Sequence, residues 1–189
     1  EALDAARETV ASCLGCEPRE IYFTSGGSEA DNQAIISAAR FGAKKNKKHI
    51  ISTAFEHHAV LHTLGKLEKE GFEVTYLPVD EYGMVSPEAV KNAITDKTIL
   101  VSVMTANNEI GTIEPIGELA QIATERGALF HTDAVQAYGH IPLNVDECSI
   151  DLLSASGHKL HAPKGVGFLY IRNGVKIGSF MQGGAQERS

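Results

Sequence analysis

The sequence predicts an α/β protein built on a seven-stranded, mostly parallel sheet with its last strand antiparallel. Three observations carry that expectation. Short apolar runs alternate with helical patterns along almost the whole chain, glycines close most of the helical stretches, and a polar cluster follows five of the apolar runs.

Leu3, Ala6 and Val10 stand at helical spacing and open the chain on a helix. Ile21-Tyr22-Phe23-Thr24 is a β run. After Ser25-Gly26-Gly27-Ser28, a helix is expected from Glu29 to Phe41, with Ala30, Ala34, Ile35, Ala38 and Ala39 as its apolar face and Gly42 as its stop. His49 to Thr53 is a second strand and Ala59 to Glu70 a helix stopped by Gly71. Glu73 to Leu77 is a third strand, closed by Pro78. Ser86-Pro87-Glu88 combines a serine cap with proline at the first helical position. Ile99 to Met104 is the fourth strand, and Pro115 to Arg126 a helix ended by Gly127. Ala128 to Thr132, Ile150 to Ser154 and Val166 to Ile171 are the last three strands. No helix separates the final two, so the seventh is expected to reverse direction.

The 189 residues are 43% hydrophobic, enough for a real core in one large domain. A net charge of −7 leaves no basic face for nucleic acid. The cluster Lys44-Lys45-Asn46-Lys47-Lys48 reads as a solvated helix end, where cations complement the dipole. No membrane span and no secretory leader are expected. The chain begins without Met inside a helical pattern, as an excised piece of a longer protein would. Three cysteines, Cys13, Cys16 and Cys148, give no disulfide spacing and suit a reducing, cytoplasmic setting. The Cys13/Cys16 pair lacks the second pair that a zinc site would need, so no metal is expected.

In a doubly wound sheet, ligands sit outside the carboxyl ends of the strands. Five polar clusters fall there. Ser25-Gly26-Gly27-Ser28 opens a helix and would let backbone N–H groups approach an anion, or would simply cap the helix. His57 follows the second strand and could stack on a planar ligand or move protons. His58 and His62 are read as exposed helix positions rather than half a metal site. Asn107-Asn108-Glu109 follows the fourth strand, and Asp133 and Gln136 the fifth. Asp133, in an apolar context, needs a cationic or N–H partner. Ser156-Gly157-His158-Lys159 follows the sixth. A lysine beside a buried strand is poorly explained by packing, and a desolvated amine suits Schiff-base chemistry. A phosphate cradle, a stacking ring, an acid for a pyridine nitrogen, an amide for a phenolic oxygen and a reactive lysine together match what pyridoxal phosphate requires.

These blocks, with Glu56-His57, Asn107-Asn108-Glu109-Ile110-Gly111, Asp133-Ala134-Val135-Gln136, Pro163-Lys164-Gly165-Val166-Gly167 and the tail Gly183-Gly184-Ala185-Gln186-Glu187-Arg188, occur in family order. The chain resembles the class V aminotransferase-like, fold-type I pyridoxal-phosphate enzymes, and most closely the NifS/IscS-like cysteine desulfurases. The resemblance implies the three-layer αβα large domain of that fold type over residues 1–189, the small C-terminal domain lying beyond Ser189. It implies pyridoxal 5′-phosphate as cofactor, with Lys159 as the Schiff-base lysine and Asp133 against the pyridine nitrogen. Gln136 and Asn108 would contact the phenolic oxygen, and His57 would stack on the ring and transfer protons. Gly27, Ser28, Ser156 and His158 would bind the phosphate.

The implied reaction takes L-cysteine to L-alanine, with the sulfur leaving as a persulfide for an acceptor or scaffold protein in iron–sulfur or thio-cofactor assembly. A homodimer is implied as well. Ala162 stands where the family usually has glycine. The family's nucleophilic cysteine, its arginine for the substrate carboxylate and an Arg-x-Gly-Thr phosphate contact belong to the part beyond Ser189. A selenocysteine lyase, a class V aminotransferase or a cofactor-binding piece without catalysis are the alternatives.

Overall fold

Seven strands form one sheet in the order β1-β7-β6-β5-β4-β2-β3. They are β1 (Ile21–Thr24), β2 (His49–Thr53), β3 (Glu73–Leu77), β4 (Thr98–Ser102), β5 (Leu129–Asp133), β6 (Leu152–Ser156) and β7 (Gly167–Ile171). The structure, a computed structural model, describes residues 1–181. The tail motif Gly183 to Arg188 therefore lies outside the described residues. β2, β3, β4, β5 and β6 pair in parallel, and β7 runs antiparallel to both β6 and β1, as expected where no helix intervenes.

Five helices cover the sheet: α1 (Ala2–Leu14), α2 (Gly27–Ala43), α3 (His58–Lys69), α4 (Pro87–Ala93) and α5 (Ile116–Glu125). Strand residues alternate between two cores. Ile50, Leu100, Leu152 and Leu169 pack under α2 and α3, whereas Ile51, Val101, Leu153 and Tyr170 pack against α1, α4 and α5. The result is a three-layer αβα sandwich. The inner strands β2, β4 and β6 are buried at every position, which is why they lack the apolar–polar alternation of a half-exposed strand. No described helix is long and apolar enough to cross a membrane.

Two expectations are corrected. The sixth strand begins at Leu152, two residues later than expected, because Asp151 serves as its entry: the carboxylate accepts the Phe130 N–H at 2.8 Å. The strand also runs on past Ser154 to Ser156, and the loop starts only at Gly157. Gly42 does not stop α2, which runs on to Ala43. Gly71 and Gly127 do follow their helices with positive φ, of 88° and 70°. Gly42 is instead a point of close approach. A Cβ there would lie 2.5 Å from Ile99 Cγ1 and 2.9 Å from the Lys47 carbonyl oxygen. Ala30, Ala34 and Ala38 continue the same row at four-residue spacing, all of them buried, so α2 lies close on the sheet.

Gly42→Ala is expected to destabilise the chain by about 1–3 kcal/mol through overpacking, against a helix-propensity gain of only about 1 kcal/mol. Gly65→Ala in α3, where a Cβ meets nothing closer than Glu68 at 4.0 Å, is expected to be neutral or mildly stabilising. Urea denaturation of the two variants checks the contrast. Equal effects would mean that the close approach at Gly42 carries no cost.

Candidate active site

Parallel strands leave their carboxyl ends along one edge, and the loops there bring all nine residues singled out in the sequence to one cleft of about 350 Å³. At one end the cleft is framed by the start of α2. Its N-cap is Gly26, at φ 155°, which offers no side chain to the first helical N–H groups. The Glu29 carboxylate reaches back past that end to Ser25, accepting its N–H at 2.7 Å and its hydroxyl at 2.5 Å rather than capping the helical N–H groups. The first turn of α2, with Gly27 and Ser28, is therefore open to an anion. Gly27 is required for fit, since a Cβ there would stand 2.6 Å from Val135 Cγ2.

Ser156, at the end of β6, faces the same point, and its hydroxyl is 2.7 Å from His158 Nδ1. Gly157–Leu160 then forms a single 3-10 turn closed by His161 at φ 60°. The Lys159 carbonyl accepts from His140 Nε2 at 3.1 Å. Lys159 and His158 are both exposed on this turn, and Lys164 lines the cleft with them. Lys159 is therefore exposed and not desolvated, contrary to expectation. Lys159 is placed by its turn, not by burial.

The other end is acidic. Asp133 closes β5 and is buried, and its carboxylate accepts the Val135 N–H at 2.9 Å. Burial pushes its carboxyl up, while the Val135 N–H and the nearby His57 ring pull it down. His57 is the N-cap of α3. Its Nδ1 accepts the Ala59 N–H at 3.1 Å, which leaves the proton of the neutral ring on Nε2. Gln136 and Asn108 line the wall between the two ends. The preceding Asn107 is structural. Its amide donates to the Phe55 carbonyl at 3.0 Å, and its oxygen accepts the N–H groups of Glu109 and Ile110. His58 and His62 sit outside this cleft, in an adjoining hollow, with ring centroids 5.4 Å apart.

Sequence reasoning missed a buried polar layer beneath the acidic end. Asp31, on α2, lines the cleft yet is only 1% exposed. Its carboxylate, that of Asp133 and a ring nitrogen of His57 lie within 4.8 Å of one another. His131 on β5 is fully buried, with Nδ1 2.8 Å from the Ser102 hydroxyl and Nε2 2.9 Å from that of Ser154. Burial pulls its imidazole down to about 3, so the ring is neutral. Glu56 ties two strand ends together. Its carboxylate accepts the Met104 N–H at 2.9 Å and the Thr53 hydroxyl at 3.1 Å. A signal for Asp31 did exist: a carboxylate set between Ala30 and Ala34 on the apolar face of a helix.

None of the three cysteines lines the cleft. Burial, followed by the charge of Glu20, pushes the Cys16 thiol up to about 12, and burial also raises that of Cys148, so neither is a ready thiolate.

The chain matches the family described as aminotransferase class-V over residues 1–188. It is 62% identical over 188 residues to a cysteine desulfurase IscS of Clostridium botulinum, covering all of this chain and 47% of that protein. A solved structure described as a NifS-like protein superposes with a TM-score of 0.94 at 44% identity, over 98% of this chain and 51% of that one. Another, described as SspA in complex with cysteine, gives 0.95 at 42% identity, over 98% and 54%. The chain spans about half the length of the curated relatives it matches.

Glu56 gives the site a pH signature. Burial pushes its carboxyl from 4.5 up to about 8, so the folded state holds a proton that the unfolded chain releases. Its contribution to stability is full below pH 4.5 and is lost as pH rises towards 8, at roughly 1.4 kcal/mol per pH unit. Glu56→Gln keeps the acceptor oxygen and removes this dependence. Its stability relative to the unsubstituted chain should grow across that window and level off above it. A difference that does not vary with pH in chemical denaturation would show that Glu56 is ionised in the folded protein.

Proposed function

Because the chain belongs to the aminotransferase class-V family, we propose that it is the cofactor-binding half of a pyridoxal-phosphate-dependent cysteine desulfurase. The observation that supports this most is the convergence on one cleft of an uncapped helix start, an exposed lysine and a buried carboxylate. The names of its relatives point the same way.

The residues fit pyridoxal phosphate. Gly26 leaves a cradle at the start of α2 that a side chain would enter, its Cβ standing 3.8 Å from the Ser156 hydroxyl, which is in turn 2.7 Å from His158 Nδ1. That end suits a phosphate dianion through N–H groups, a hydroxyl and the helix dipole. At the other end Asp133, held by the Val135 N–H, offers an anion to a pyridine nitrogen. Gln136 and Asn108 supply amides between the two. When bound, the cofactor supplies an electron sink that makes the α-proton of an amino acid acidic.

The chain's own groups then have distinct tasks. Lys159 Nζ is the amine that would hold the cofactor. His57 would lie against it, with Nε2–H, a tautomer fixed by the Ala59 N–H, available for proton transfer. Asp133 would set its charge against the ring nitrogen. The thiol that receives the sulfur is assigned to residues outside this chain, because Cys13, Cys16 and Cys148 all lie away from the cleft. By the same family reading, the whole protein is a cytoplasmic homodimer. It hands its sulfur to an acceptor or scaffold protein serving iron–sulfur or thio-cofactor assembly.

Mixing the chain with pyridoxal phosphate, reducing with borohydride and mapping peptides should place the pyridoxyl group on Lys159, and Lys159→Ala should abolish it. A label on Lys164 instead would overturn the assignment. With cofactor and L-cysteine, the 189-residue chain alone should release no alanine catalytically. Positioning a thiolate contributes about 7–11 kcal/mol to such a step, and no cysteine here is positioned. Turnover that disappears on substituting one of the three cysteines would show that the nucleophile lies within this chain.

A further inference from the structure

Asp31 is the one carboxylate on the buried face of α2, and the proposed reaction gives it no task. It is 1% exposed, and its Oδ1 has no hydrogen-bond partner among the described residues. A His57 ring nitrogen lies within 4.8 Å of its carboxylate, and His131 Nε2 is 3.7 Å away. That ring cannot serve as a counter-ion, since its two nitrogens already meet the hydroxyls of Ser102 and Ser154 and it is neutral. Across the gap stands Asp133, a second buried carboxylate. Two carboxylates enclosed at this distance do not both ionise without a counter-charge between them, and one proton relieves the repulsion.

The surroundings decide which of the two holds it. Asp133 has a donor, the Val135 N–H, and the His57 ring beside it. Asp31 faces Asp133 and His131 from β5, Ser154 from β6, Glu56 from the loop after β2 and the His57 ring at the start of α3. The Ser154 hydroxyl favours its charged form, whereas burial and the charges of Asp133 and Glu56 oppose it. Lys159, Lys164 and His158 line the same cleft and are exposed. Burial, then the charge of Asp133, holds the Asp31 carboxyl well above the usual carboxylate range.

We propose that Asp31 and Asp133 carry a single negative charge between them, with the proton on Asp31 and the charge on Asp133. Asp31 is then a positioning residue. As a neutral acid it walls the floor of the cleft without adding a second anion, and it keeps the one charge on the carboxylate that faces the place of the ring nitrogen. The role toward the cofactor rests on the function proposed above, whereas the protonation of the pair does not.

The test uses the chain labelled with 13C at the aspartate carboxyls, assigned by triple-resonance NMR so that no substitution is needed to identify them. At pH 7 the Asp31 carboxyl should resonate as a protonated acid and that of Asp133 as a carboxylate. Ionisation of both at pH 7, or a proton on Asp133, would overturn the proposal. In a second arm, pyridoxal phosphate is titrated and followed by its visible absorbance. Asp31→Asn, which mimics the neutral acid, should bind within about threefold of the unsubstituted chain. Asp133→Asn should bind at least tenfold more weakly. Equal weakening by the two variants would place functional charge on Asp31 and sink the proposal. An Asp133→Asn variant that binds like the unsubstituted chain would fail the cofactor reading alone, the NMR arm still deciding where the proton sits.

Discussion

The seat of α2 across the middle of the sheet is the constraint on which the rest depends. α2 touches β1, β4, β5, β6 and β7 as well as α3. It can lie that close because the row Ala30, Ala34, Ala38 and Gly42 presents almost no side-chain bulk. A helix held at this height brings its first turn level with the ends of β1 and β6, which is where an anion can meet both the open N–H groups and the Ser156 hydroxyl. The same height drives Asp31 into the sheet's polar layer. One packing decision thus builds both ends of the cleft.

Beneath α2 the sheet is not uniformly apolar. The Ser52 hydroxyl donates to the Ser102 carbonyl, the Ser102 hydroxyl meets His131, and His131 meets Ser154, so that adjacent parallel strands are stitched by side chains as well as by their ladders. Such a layer is costly unless every member is satisfied. Two exceptions lie at or beside the cleft, Asp31 Oδ1 and Glu56 Oε2, enclosed carboxylate oxygens that lack a partner among the described residues; others, such as Glu114 Oε1 and the Ser37 hydroxyl, lie away from it. A pair of unsatisfied acids beside one cleft marks a place where polarity serves something other than stability.

The cleft is also electrically divided. Exposed cations, Lys159 and Lys164, stand on the Gly157–Gly165 side, and buried acids stand on the α2–β5 side. A ligand with an anionic group at one end and a protonated nitrogen at the other would lie along this axis in one orientation only. A chain of net charge −7 keeps this division because Asp31 and Asp133 are buried, the half-buried Glu29 is tied to Ser25, and the cations are exposed. Exposure, more than formal charge, sets what an incoming anion meets.

The sequence by itself determined the order of strands and helices along the chain, the reversal at β7 and nine of the residues that line the cleft. Those signals are local. Buried parallel strands are continuous apolar runs, and ligand groups in such a sheet must follow strand ends in the chain. It did not determine that Gly42 is a contact with Ile99 rather than a helix end, since a glycine closes a helix or lets it approach with the same letter. Nor did it reveal the Asp31, Asp133 and His57 cluster, or the Ser102, His131 and Ser154 stitch. Their members are scattered over three strands, one helix and the cap of another, and each taken alone looks like a cap or an ordinary polar residue. Only the tertiary structure decided that these groups share one enclosed space, because burial and mutual distance, which govern where a proton rests, are properties of the packed chain and not of any segment of it.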